Sequence, residues 1–105
     1  MSAAGRAAGV RAVRLVIAAA GSGLGREDRT AACKKLTKRL EDTNDDVRVA
    51  ACGALRELLR VSGGDLNDTE EVQALRESLS LHAGDGNPAV QAAARSALQA
   101  LACAA

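Results

Sequence analysis

One imidazole, three thiols, a cluster of turn acids and a run of lysines are the side chains of this 105-residue chain that have chemistry to offer. His82 has no second base or nucleophile at a spacing that would pair with it. It follows Leu79 and Leu81 near the end of a helical pattern, where a protonated imidazole favours the negative pole of a helix, so a structural or solvent role is expected. Cys33, Cys52 and Cys103 are odd in number and separated by 19 and 51 residues, which spells neither a disulfide framework nor a CxxC metal or redox pair. Reduced cysteines filling small core positions of an intracellular protein are the expectation. Asp42, Asn44 and Asp46 alternate as the first ligands of an EF-hand loop do. Counted from Asp42, however, the sixth position is Val47 where that loop requires Gly, and the twelfth is Gly53 where it requires a bidentate Glu. Capping of a helix explains these acids better. Gly21-Ser-Gly-Leu-Gly25 alternates glycines without the preceding strand of a dinucleotide loop, and reads as a linker over 21–26. No catalytic, cofactor or metal site, and no enzyme, is expected.

Lys34, Lys35, Lys38 and Arg39 form the densest basic stripe. Phosphate contacts need only such cations, so a phosphate- or nucleic-acid-binding module using 34–39 is the rival to protein recognition. Single-strand binders also stack bases on aromatic rings, and Phe, Tyr and Trp are absent here. The net charge of +1 argues the same way. It conceals a division: residues 1–40 hold nine Lys/Arg against Glu27 and Asp28, and residues 41–105 hold five Arg against eleven acids, or +7 against −6. Such a dipole would steer an acidic partner to one end or favour head-to-tail contact between copies.

The elements that must carry these residues are helices. Ala supplies 24 of the residues and the large aliphatics only 23, a composition that suits thin, closely packed helices and disfavours a β-sandwich or barrel. Shifting the chain by 43 places Asp42-Thr-Asn44-Asp-Asp-Val47-Arg-Val-Ala50-Ala51 over Asp85-Gly-Asn87-Pro-Ala-Val90-Gln-Ala-Ala93-Ala94, and continues with Ala54 and Leu55 on Ala97 and Leu98. After each turn the apolar residues recur at helical intervals. Over 46–61 these are Val47, Ala50, Ala51, Ala54, Leu55, Leu58 and Val61, with Arg56 and Arg60 opposite. Asn44 or Asp45 is placed to cap this helix, and Gly63 and Gly64 to stop it. Asn87 before Pro88 marks the start of the second, expected over 88–103. Before each turn lies another helix: over 27–40, with Ala32, Cys33, Leu36 and Leu40 on one face, and from the capping box Asp68-Thr-Glu-Glu71 onward, with Val72, Leu75 and Leu79. A lone N-terminal helix over 6–20 carries Val10, Val13, Leu15 and Ile17, and reads as the second helix of a unit whose first is missing.

A two-helix unit of this length with a charged turn resembles the HEAT and armadillo repeats, and Asp42 to Arg48 followed by Ala50, Ala51, Ala54 and Leu55 resembles the HEAT pattern over about residues 27–103. The resemblance implies an all-α solenoid of about two and a half units: helix 6–20, linker 21–26, repeat one 27–61, linker 62–67 and repeat two 68–103. It also implies a ladder between units, formed by Asp42 and Arg48 and continued by Asp85, with Gln91 where the next Arg would stand. In the N-terminal stretch Val10 and Arg11 take the matching place and Gly5 falls where the Asp would be. The run from Lys38 to Ala51 is also similar to a segment of the HEAT-repeat dynein axonemal assembly factors. That family implies a cytoplasmic scaffold acting with chaperones on dynein chains of the cilium.

The expected function is therefore non-catalytic protein binding. Interfaces concentrate energy in Trp, Tyr and Arg, so Arg56 and Arg60, with the stripe Lys34, Lys35, Lys38 and Arg39, are the expected contact surface. Fewer than three whole units is marginal for a solenoid, so a longer array or self-association is expected. A cytoplasmic location is expected as well. The first 26 residues carry four Arg and no acid, the bias of an organelle transit peptide, but the helical pattern uses the same residues. The longest apolar run near the N-terminus, residues 15–20, is far too short to span a bilayer.

Overall fold

Two turns of the same chemistry start the helices that follow them. Asn44 Oδ1 accepts the backbone N–H of Asp46 at 2.9 Å and of Val47 at 3.2 Å, while Asp42 Oδ1 accepts that of Asn44 at 2.9 Å. Forty-three residues on, Asn87 Oδ1 takes Ala89 at 2.9 Å and Val90 at 3.2 Å, and Asp85 Oδ1 takes Asn87 at 2.8 Å. The repeat is thus one of hydrogen bonds as well as of letters: each Asp shapes the turn and each Asn caps the next helix.

The computed structural model describes residues 2–62 and 69–104. Within them the elements are α1 (Ala3–Ala20), α2 (Arg26–Arg39), α3 (Asp45–Ser62), α4 (Thr69–His82) and α5 (Pro88–Ala104), with one 3₁₀ turn at Gly21–Gly23 between α1 and α2. Gly63, Gly64, Asp68 and the rest of the expected 62–67 linker beyond Ser62 lie outside the described residues. α1 begins earlier than the apolar pattern suggested, because Ser2 Oγ accepts the Gly5 N–H at 3.0 Å and caps it. It ends at Gly21, whose φ of +53° is costly for any residue with a Cβ. α2 has no side-chain cap. Glu27 and Asp28 in its first turn and Lys38 and Arg39 in its last complement the helix dipole instead.

The helices form two rows. α1 packs on α3 and α3 on α5 to make the second row; α2 and α4, the first helices of their pairs, make the first row, resting on α3 and α5 respectively and touching each other. This is an all-α, solenoid-like stack in which helix pairs α2–α3 and α4–α5 follow the lone α1. α3 is covered by α1, α2 and α5, and that explains why its buried residues exceed the single stripe read from the sequence. Cys52 and Leu59 are buried along with Val47, Ala51, Ala54, Leu55 and Leu58. Ala51 and Ala54 on α3, with Ala94 and Ala97 on α5, are fully buried, so these small side chains serve close approach of helices within the stack. Among the described residues α1 has a neighbour of its own row on one side only. It buries Val10 and Ile17 and leaves Val13, Leu15 and Val16 at 37%, 70% and 63% exposed, so the expected apolar set of α1 is split.

Candidate interaction surface

The turn acids face basic side chains from neighbouring units. Arg6 on α1 reaches Asp42 with two bonds, Nε to Oδ2 at 2.7 Å and Nη2 to Oδ1 at 3.2 Å, in the fork geometry that suits a carboxylate. The guanidinium, and after it the Asn44 N–H, hold the Asp42 carboxyl below its ordinary range. Arg48 makes the next step. Its Nη1 donates to the Asp42 carbonyl at 2.8 Å, and its Nη2 pairs with Asp45 and lies 3.7 Å from Asp85 Oδ2 in the following turn. Asn87 Nδ2 donates to Asp45 Oδ2 at 2.8 Å, a second link between the two turns. His82 Nδ1 stands 3.7 Å from Asp85, so the lone imidazole sits in this network. Asp85 is held low by the Asn87 N–H first, then by Arg48 and His82.

One position differs from the sequence reading. Alignment on the Val-Arg pair put Arg11 in the place equivalent to Arg48, whereas Arg6 meets the turn and Arg11 is exposed. The register of α1 against a turn 36 residues away decides this, and no local pattern encodes it. Asp42, Asp45 and Asp85 are thus engaged by cations or amide groups, and no cluster fit to hold a metal ion occurs among the described residues.

The six residues expected to form one contact surface are distributed over three places. Lys34 lies 3.5 Å from Glu71 and joins α2 to α4. Lys35, Lys38 and Arg39 line a groove of about 490 Å³ between α1 and α2, whose floor includes Gly9, Val10, Val13 and Leu36. Arg56 and Arg60 border a second groove of about 380 Å³, formed by α1, α3 and α5, together with Arg14 and Glu57. The continuous 34–39 stripe proposed for phosphate is therefore broken at its first member. Sequence reasoning missed Arg14. Its signal was Gly53 in the middle of α3: a Cβ there would come within 3.2 Å of the Arg14 guanidinium, so the glycine lets that side chain lie across α3. Arg60 Nε donates to Glu57 at 3.2 Å, and this pairing lowers the Glu57 carboxyl. The thiols offer little reactivity where they are buried. Burial pushes Cys52 up to about 11, leaving almost no thiolate at neutral pH; Cys33 is buried too, and Cys103 is exposed.

A helix pair with a capped acidic turn, linked through Arg6 to the preceding helix and through Arg48 to the following turn, is the unit of the array. Residues 32–62 match the HEAT repeat family. The HEAT match runs from the middle of α2 through the turn to the end of α3, and supports a HEAT-type helical repeat protein. HEAT repeats generally mediate protein–protein interaction. No curated protein and no solved structure matches the chain. Among the described residues no helix is long and apolar enough to cross a membrane.

Proposed function

We propose that the chain is a non-enzymatic protein-interaction scaffold, whose turns hold the helix rows rigid and whose grooves present charge to partners. The observation that carries this reading is the HEAT match over α2 and α3 combined with cross-unit bonding of the turns, Arg6 to Asp42 and Arg48 to Asp85. Acids tied up in this way leave the Arg-lined groove of α1, α3 and α5 as the surface on which Arg14, Arg56 and Arg60 converge. A fixed frame also lowers the entropy that association must overcome.

The finer reading is that the partners are axonemal dynein chains or their chaperones, met in the cytoplasm; its support is the similarity of Lys38 to Ala51 to the dynein assembly factors. The test is quantitative affinity capture from ciliated cells using the wild-type chain and an Arg56→Glu/Arg60→Glu variant. Retention of specific proteins by the wild type, reduced in the variant, supports the scaffold. Equal capture by both chains counts against the Arg groove, and absence of dynein chains and chaperones from the captured set rejects the finer reading.

A further inference from the structure

The order of contacts in the stack defines a seat that no described helix occupies. Each first-row helix rests on the second-row helix of its own unit and touches the next first-row helix, as α2 does with α3 and α4. Moving that arrangement back by one unit puts a helix against α1 and α2 together. At that place the structure has an open trough of about 490 Å³, lined by five residues of α1 and five of α2. Val10 and Leu36 lie nearly buried at its bottom, and Gly9, where an added Cβ meets nothing within 4 Å, leaves one wall low.

The charge at this seat is of one sign. Among the described residues no carboxylate lines the trough; Lys35, Lys38 and Arg39 stand along its α2 side. Lys35 and Lys38 are exposed and, among the described residues, neither is ion-paired. Where α4 packs against α2, Lys34 shows what a neighbouring helix supplies, since it meets Glu71 there. Lys35 and Lys38 are three residues apart and so share a flank of α2, which an acid pair at helical spacing can face.

We propose that this trough takes a single amphipathic helix with small apolar residues on one side and an acidic flank, supplied by another protein. A second copy of this chain does not fit the seat in the manner of the repeat. Its own first-row helices carry α3 or α5 beside them, and α1 already fills that second-row position. The occupant is therefore a lone helix, the helix-in-groove mode of recognition. The inference deepens the protein-binding reading above by naming a partner chemistry and a different surface from the Arg groove.

The probe is a fluorescein-labelled synthetic helix of about four turns, with Leu and Ala at three- and four-residue intervals and Glu along one flank, titrated with the whole chain by anisotropy. Binding is expected to be about tenfold tighter than for the same peptide with Lys in place of Glu. Lys35→Glu with Lys38→Glu should reverse the preference. Gly9→Leu should abolish binding of both peptides while its circular dichroism spectrum stays that of the wild type, because Gly9 lines the trough and a Cβ there meets nothing within 4 Å. No preference between the peptides, or a preference that the Lys reversal leaves unchanged, overturns the proposal. So does a concentration-dependent oligomer in light scattering that Gly9→Leu dissolves, which would make a second copy the occupant, or cross-links from Lys35 and Lys38 of the native protein to a segment of its own polypeptide outside these 105 residues. Partner capture that depends on Arg56 and Arg60 and persists in Gly9→Leu separates the scaffold from this seat.

Discussion

Asp42 accepts three donors, two from Arg6 and one from the Asn44 backbone, and Asp85 accepts the Asn87 N–H with Arg48 and His82 nearby. Both carboxyls are held below their ordinary range, so the folded chain binds fewer protons than the unfolded one as the solution is acidified. The resulting stability is fully present above the unfolded carboxylate value of about 3.9 and is lost as pH falls through the lower folded values. Thermal midpoints should therefore be flat above about pH 5 and fall below about pH 4. Asp42→Asn isolates one contributor. It should melt below the wild type at neutral pH, and the gap should close on acidification as the wild-type carboxyl takes up its proton. A gap that stays constant between neutral and acid pH would show that the Arg6 pair contributes nothing through its charge. Arg6→Ala should lower the midpoint in the same pH-dependent way, and Arg11→Ala should not.

At the scale of the helix, caps and glycines make opposite demands that urea titration can separate. Asn44→Ala and Asn87→Ala each leave two first-turn amides without their acceptor, and each should cost about 1 kcal/mol. Gly9→Ala should stabilise by about 0.5–1 kcal/mol, because it removes a flexible residue from the interior of α1 where a Cβ meets nothing. Gly21→Ala should destabilise by about 1–3 kcal/mol, since the φ of +53° that ends α1 disfavours a Cβ whatever space surrounds it. Equal effects at these two glycines would refute the distinction. These elements were legible in the sequence because their causes are local: an Asn cap acts two or three residues ahead, and Pro88 and the apolar intervals of α3 and α5 act within one helix. The candidate surface was less legible. Lys34 looked like one of four equivalent cations until α4 brought Glu71 to it, and Arg56 and Arg60 acquired Arg14 as a neighbour only through the packing of α1 across Gly53. Row assignments are set by contacts between distant segments, which a pattern of intervals does not record.

The whole molecule distributes its charge and its core unevenly, and the two patterns oppose each other. The sequence dipole of +7 against −6 is partly closed by pairs that cross it, since Arg6 and Lys34 come from the basic part and Asp42 and Glu71 from the acidic part. The apolar core closes around α3, which meets α1 and α5 in its own row and α2 in the other. In a stack whose units are stabilised by nearest neighbours, the helix with most neighbours is the last to open. Leu55 lies at its centre and is fully buried, so Leu55→Ala should cost about 2–5 kcal/mol. That is a large share of the roughly 5–15 kcal/mol that holds a domain of this size. Leu81 on α4 is 75% exposed, and Leu81→Ala should change stability by no more than about 0.5 kcal/mol. Native-state hydrogen exchange checks the same idea without mutation. The slowest amides should lie in the middle of α3, at the free energy of global unfolding, and those of the first turns of α1 should exchange far sooner through local opening. In Leu55→Ala the α3 amides should lose protection by the full change in stability, whereas those at the start of α1 should be unaffected. Loss of protection confined to α3, with α5 retaining its own, would mean that the helix pairs open as separate units and that α3 is not the common centre of the fold.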